Sequence, residues 1–344
     1  MDSKLMQAQN KLLSIIVVTY KQQNYLYQTL ESILMQDYAR IELIIADDGT
    51  PELDVKKIEK YINNNNSGNI IRFLILYDGK NRGTVKNINR ALPLVKGQFI
   101  KIIGGDDTYF DYRVFSKEIA FLNSHKNLYG AVSKCQQCDA FMKPIKDARV
   151  EKSNNAISKV LSMTYDQSRR YITNNDIFPI AVQATIFTRD YYNDVGGCDE
   201  DYMVIDDSPT VLKILKNHNR FGFLDIYSVN HRSNIGVSAS KEMFSPKRLK
   251  YYKDVITYDR KEIKKNPNVY GRKYCRYIPK VNEYIYLMAL GKQKNKNKSY
   301  FVYATAKYMP ALLYYCLHNY KKVTHRFGMN KKNESFNFNN SIQL

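Results

Sequence analysis

Little in this 344-residue chain is long and apolar. No stretch reaches the roughly 18 uncharged apolar residues that a membrane-spanning helix needs. The apolar run Leu12 to Val18 is too short for a secretory leader and lacks its flanks. The chain is therefore expected in the cytoplasm, or seated peripherally on the inner face of the cell membrane. Cysteine is scarce: five residues, an odd number spread over a long chain, make no disulfide framework. Cys135 and Cys138 have C-x-x-C spacing, but there is no second pair and no nearby histidine, so they read as core or strand thiols. No internal repeat, zinc spacing or RNA-recognition signature is present, and nucleic acid is not an expected partner. Acidic residues are outnumbered, 33 Asp and Glu against 53 Lys and Arg. The 44% apolar and 13% aromatic content excludes a disordered chain.

What acid there is comes in pairs. Asp47-Asp48-Gly49, Asp106-Asp107 and Asp206-Asp207 are read as clusters that follow strands. Adjacent like charges cost free energy unless a cation or a proton offsets them. The first two pairs end apolar runs, which is where open α/β sheets bind ligands. Each pair also has a plainer reading: a turn at Asp47-Asp48, a helix cap at Asp106-Asp107, a helix N-terminus at Asp206-Asp207.

The order of elements predicts an α/β, doubly wound and mostly parallel sheet. Ser14–Thr19, Ile41–Ala46, Ile70–Leu76 and Phe99–Ile103 read as buried strands, with helical spacing over Tyr25–Leu34, Val55–Ile62 and Thr84–Leu94 between them. Further on, Arg113–Leu122 and Ser208–Asn217 read as helices, and Tyr129–Cys135, Phe178–Phe187 and Phe221–Leu224 as strands. Residues 139–175 are polar and ambiguous. The charge is uneven: residues 241–344 hold 23 Lys and Arg against 6 Asp and Glu, which is +17 of the +20 total. Three parts are expected: residues 12–240 as a catalytic domain (12–110 a nucleotide-binding half, 111–240 an acceptor half), 241–330 as a basic, tyrosine-rich helical extension, and 331–344 as a disordered tail. Gly291–Ser299 reads as a solvated linker. Basic segments with interleaved tyrosines adsorb to anionic membrane surfaces, which makes such a surface an expected partner; a solvated helical cap is the plainer reading.

Ser14-Ile-Ile-Val-Val-Thr-Tyr20, Asp47-Asp48-Gly49-Thr50, Asn81-Arg82-Gly83, Gly105-Asp106-Asp107, Gly196-Gly197-Cys198-Asp199-Glu200 and Ile205-Asp206-Asp207 occur in order. The set resembles family 2 inverting glycosyltransferases of the GT-A (Rossmann-like) fold, over roughly residues 12 to 240. The resemblance implies that Thr19 and Tyr20 cradle the base and ribose of a nucleotide sugar, that Asp48 contacts the base, and that Arg82 belongs with these contacts. It implies a ribose or sugar contact for Asp106, a metal ligand in Asp107, a catalytic base in Asp207 and a diphosphate contact for Arg232. It further implies a divalent metal (Mg²⁺ or Mn²⁺), a UDP-sugar or related donor, and a saccharide or lipid-linked acceptor used in cell-surface polysaccharide synthesis. Three positions depart from the pattern. Gly104 or Gly105 stands where a further carboxylate is common, Asp206 replaces the usual Glu, and Asn234 falls where a His is common. Two other readings stand beside it. A sugar-nucleotide pyrophosphorylase would want a Gly-rich phosphate loop, and Thr19-Tyr20-Lys21-Gln22-Gln23 has no glycine. A non-catalytic membrane- or nucleic-acid-binding protein on a degenerate transferase fold would not need Asp107 and Asp207.

Overall fold

The computed structural model describes residues 11–233, 246–293, 305 and 307–317. Its first half alternates strands β1 (Leu13–Thr19), β2 (Ile41–Asp47), β3 (Ile70–Leu76) and β4 (Phe99–Gly104) with helices α1 (Gln23–Leu34), α2 (Val55–Asn65) and α3 (Thr84–Ala91). These strands lie in the order β3-β2-β1-β4, all parallel. The continuous apolar runs reflect two covered faces. Ile15, Val17 and Ile45 pack with Leu26, Leu30 and Ile58 on one side of the sheet, while Ile16, Ile44 and Ile102 pack with Ile88 and Ala91 on the other. Lys101 breaks the run in β4. It is fully buried and pairs at 2.6 Å with Glu118 of α4 (Val114–Ser124), so the burial of one charge is offset by the other.

The second half extends the same sheet through β5 (Thr108–Tyr109), β6 (Gly130–Cys138), β7 (Thr185–Thr188) and β8 (Phe221–Arg232), in the order β4-β7-β6-β8-β5. Here β6 and β8 are parallel, while β7 and β5 pair antiparallel to their neighbours. Helices α5 (Ala148–Leu161), α6 (Tyr165–Asn175), α7 (Arg189–Val195) and α8 (Asp207–Lys216) accompany these strands. The expected α/β, mostly parallel architecture is thus present.

Three local expectations are corrected. The strand expected over Phe178–Phe187 begins only at Thr185, because Pro179 has no N–H for a ladder. The short strand Phe221–Leu224 runs on to Arg232; Asp225, which looked like its end, is an outward residue paired with Lys134 of β6. The ambiguous stretch 139–175 holds α5 and α6. Asp147 caps α5 through the N–H groups of Arg149 (2.8 Å) and Val150 (3.1 Å). Polar residues between Ala156, Ile157, Val160 and Leu161 hid its apolar face.

The basic C-terminal part is helical: α9 (Pro246–Tyr258), a π-turn at Asp259–Ile263, α10 (Pro267–Tyr270) and α11 (Arg272–Gln293). It is docked on the sheet-bearing body. Lys261 pairs with Asp199 at 2.7 Å. The buried Arg169 of α6 lies 3.1 Å from the Tyr270 hydroxyl and 3.4 Å from Glu262. Residues 307–317 are helical and stack Tyr314 on Tyr277 at 5.0 Å. Asn234, most of the Gly291–Ser299 linker and the tail 331–344 lie outside the described residues.

Candidate active site

The site is built at the carboxyl edge of the parallel strands. Thr19 is in register with Asp47, and Val18 with Gly104. The first two acidic turns therefore leave the sheet on either side of β1. Two bonds seal them to it: Asp48 N–H donates to the Thr19 carbonyl and Gly105 N–H to the Val18 carbonyl, both at 2.9 Å. A side chain at Gly105 would come within 2.9 Å of Thr19, so only glycine allows this approach.

The two carboxylates of the first pair do different work. Asp47 is buried and folds back on Thr50, accepting from its N–H and its hydroxyl at 2.7 Å each. Asp48 reaches out and accepts the N–H of Arg82 at 2.7 Å and of Gly83 at 2.9 Å. It thereby holds the 78–83 loop against β2. The guanidinium of Arg82 forks onto Asp78 at 2.7 and 2.5 Å, and this pairing holds Asp78 below the usual carboxylate range. Tyr20 is half-buried, with Lys21 Nζ 5.2 Å from its ring centroid.

The second pair meets the far end of the domain. Antiparallel pairing of β5 with β8 sets Thr108 opposite Asn230, which brings His231 and Arg232 beside Asp107. Asp107 is buried. Its Oδ1 accepts the Arg232 N–H at 2.9 Å and lies 3.1 Å from His231 Nδ1, with Oδ2 at 3.2 Å from the same nitrogen. The Asp106 carboxyl is pushed up to about 6, first by burial and then by the charge of Asp107. Burial alone would lower the His231 pKa; the hydrogen bond and charge of Asp107, helped by Asp106 and Asp207, raise it instead.

Arg232 is placed otherwise than expected. It is 1% exposed, and its guanidinium donates to the Asp106 carbonyl (2.8 Å), Gln28 Oε1 (2.5 Å) and the Ala140 carbonyl while stacking 4.5 Å from the Tyr25 ring centroid. Its donors hold the acidic turn from behind.

The third pair does not follow a strand. Asp206 and Asp207 open α8 after an irregular loop. Asp207 Oδ1 accepts the N–H of Ser208 at 2.7 Å. Asp207 is exposed to solvent, yet enough protein surrounds it for burial to be the main cause raising its pKa. Asp206 is pushed up to about 7 by burial and by the charge of Asp207. Around His231, then, the structure gathers Asp106, Asp107 and Asp207. His231 was not among the expected site residues. Its partner is 124 residues away, and the only sequence signal is its place next to Arg232.

The turn suits a divalent cation of the hard, oxygen-seeking kind. Such an ion takes one or two protein carboxylates and completes its shell with phosphate oxygens and water. Asp107 offers one such carboxylate at the sheet edge. Among the described residues no three His, Cys, Asp or Glu side chains are grouped to cage an ion, so the fit is to a metal shared with a ligand.

Residues 14–196 match the model of glycosyl transferase family 2. Among curated proteins, the chain is 30% identical over 116 residues to the UDP-Glc:alpha-D-GlcNAc-diphosphoundecaprenol beta-1,3-glucosyltransferase WfaP of Escherichia coli, a stretch covering 34% of this chain and 43% of that protein. It is 29% identical over 98 residues to the glycosyltransferase GlyG of Streptococcus pneumoniae, covering 28% and 31%. The chain thus spans less than half the length of these relatives. Among solved structures, the mannosyltransferase PcManGT of Pyrobaculum calidifontis with GDP-Man and Mn²⁺ superposes with a TM-score of 0.55 at 15% identity, over 93% of this chain and 88% of that one. Staphylococcus aureus TarS 1–349 with UDP-GlcNAc gives 0.52 at 16%, over 87% and 81%. At these identities the likeness speaks to the fold. The matched family model spans β1 to α7, including both acidic turns at the sheet edge, and places the chain in glycosyl transferase family 2.

Proposed function

We propose that this protein is an inverting glycosyltransferase. It moves a sugar from a nucleotide-diphosphate donor, with a UDP-sugar the first choice, to a hydroxyl of a saccharide or lipid-linked saccharide in cell-surface polysaccharide synthesis. One observation carries this reading: Asp106-Asp107 sit at the carboxyl edge of the sheet with His231 against Asp107, and Asp207, from a distant part of the chain, is near enough to His231 for its charge to raise the imidazole pKa. The names of the relatives support it, since WfaP is a UDP-Glc-dependent transferase to a diphosphoundecaprenol-linked sugar.

Asp207 is the base. An acceptor hydroxyl attacks the anomeric carbon from the face opposite the leaving diphosphate. The new C–O bond forms as the C–O bond to phosphate breaks; the electron pair leaves on the phosphate oxygen and the hydroxyl proton passes to Asp207. One displacement inverts the centre. Asp107 would hold a Mg²⁺ or Mn²⁺ ion, which would supply neutralisation of the charge that gathers on the leaving group. Asp106 faces the ribose or sugar. Thr19, Tyr20, Asp48 and Arg82 line the nucleotide end, Asp48 by shaping the 78–83 loop. Arg232 acts at one remove, through the Asp106-Asp107 turn.

No helix among the described residues is long and apolar enough to cross a membrane. The +17 charge of residues 241–344 supports a peripheral seat on the anionic inner leaflet. Met309, Leu313 and Leu317, one turn apart, are exposed on the last described helix.

The test is the melting temperature with UDP, GDP, dTDP and CMP, each with and without Mn²⁺. Ligand at 100 times its dissociation constant stabilises by about 2.7 kcal/mol. A Mn²⁺-dependent rise with one nucleotide is expected; no rise with any of them overturns the reading.

A further inference from the structure

The loop that leads into Asp206-Asp207 has neither helix nor strand over residues 203–205. Its amides are nonetheless satisfied by a single atom. Asp254 Oδ2, on α9, accepts the N–H of Met203 at 2.9 Å, of Val204 at 2.7 Å and of Ile205 at 3.0 Å. Asp254 is 3% exposed. Three successive amides turned onto one oxygen form a concavity that receives an anion, and bonds to an ionised acceptor are about twice as strong as neutral ones. Burying a carboxylate here is costly unless all three bonds form, so loop and side chain fix each other.

The same loop is held from its other side. Met203 O accepts the N–H of Val85 at 3.2 Å. A side chain at Gly83 would come within 2.4 Å of that oxygen, and Gly83 is itself tied to Asp48. Lys261 anchors the start of the loop through Asp199 and Asp201. Tyr251, three residues before Asp254 and so on the same face of α9, is near enough to Asp207 to feel its charge.

We propose that Asp254 is a positioning residue for sugar transfer: from the basic C-terminal part of the chain it sets the backbone that aims Asp207 at the acceptor. This rests on Asp207 being the base. The carboxylate of Asp254 touches no reacting atom and acts only through residues 203–205.

The experiment compares the full chain with Asp254→Asn and Asp254→Glu by three readouts. Hydrogen exchange follows the amides of 203–205. The melting shift with UDP and Mn²⁺ follows donor-side binding. Steady-state kinetics use whichever of UDP-glucose and UDP-N-acetylglucosamine the wild type cleaves faster. Asp254→Asn is expected to exchange these amides about 10-fold faster than wild type, a local opening. Its kcat should fall about 100-fold, as a displacement near 1 Å costs, with donor KM and the UDP shift within about twofold. Asp254→Glu should regain part of the kcat. Unchanged exchange, an unchanged kcat, or a loss confined to KM overturns the proposal. Should Asp254→Asn fail to fold, wild-type amides at 203–205 exchanging at open-loop rates overturn it. A wild type that shifts with none of UDP, GDP, dTDP and CMP and cleaves neither sugar nucleotide overturns the transferase reading itself, and the exchange result then stands apart from it.

Discussion

His231 Nδ1 lies 3.1 Å from Oδ1 of Asp107, across 124 residues of chain. This contact joins the turn after β4 to the end of β8. Asp107 also receives the Arg232 amide, so the carboxylate is fixed in place from both residues.

Asp107→Asn keeps an oxygen for the Arg232 N–H and loses the charge. The expected result is a folded protein whose melting shift with UDP no longer depends on Mn²⁺. A shift that still grows with Mn²⁺ as in wild type would remove Asp107 from the metal. His231 was invisible as a site residue for a physical reason: a lone histidine has no local pattern, and its partner is set by the β5–β8 pairing.

Asp207→Asn preserves size and the cap on Ser208 but cannot take a proton. Donor binding, read as the UDP and Mn²⁺ shift, should match wild type, while the transfer rate falls by about 10²–10⁴, the usual worth of a general base. Full transfer by this variant would contradict the assignment.

Asp206 gives a signed pH dependence. Its folded pKa of about 7, raised by burial and by Asp207, stands above the ordinary 3.8. Folding therefore favours the protonated form. The associated stability is complete below about pH 4, is lost as pH rises through about 7, and changes no further above that. Asp206→Asn cannot lose it. Denaturant titrations should show little difference between variant and wild type at pH 4, and a more stable variant at pH 8, by on the order of 1–3 kcal/mol. Equal stabilities at both pH values would sink the prediction.

Arg232→Lys distinguishes a buried clamp from a diphosphate contact. An ammonium cannot span the Asp106 carbonyl, Gln28 and the Ala140 carbonyl together. Each buried acceptor left alone costs about 1–3 kcal/mol, so a clear loss of stability is expected even without ligand. A variant of normal stability that merely binds UDP more weakly would restore the surface reading of this residue.

Much of this arrangement is legible in the sequence, and the rest is hidden for identifiable reasons. Asp47-Asp48 and Asp106-Asp107 stand out because largely apolar runs end in them, and runs of that kind make parallel strands with both faces covered. That Asp47 turns inward to Thr50 while Asp48 turns out to Arg82 and Gly83 is set by the turn, and two adjacent aspartates look alike in a sequence. The burial of Arg232 was hidden because it comes from Gln28, Tyr25 and Ala140, which lie far apart along the chain. The α5–α6 region was unreadable since asparagine, serine and lysine outnumber the apolar residues that face the core. The charge count singled out the C-terminal third correctly as different, but charge says nothing of where one buried aspartate in it points.

The triple bond from Asp254 has a practical side. A protein shortened to end near residue 240 would keep the aspartates named for chemistry and nearly all of the sheet. It would also leave three amides facing a hollow where a helix had been, immediately before the residue meant to take the proton. If Asp254 positions Asp207, the positively charged third of the chain belongs with the catalytic body, and a search for the smallest active fragment should begin beyond α9.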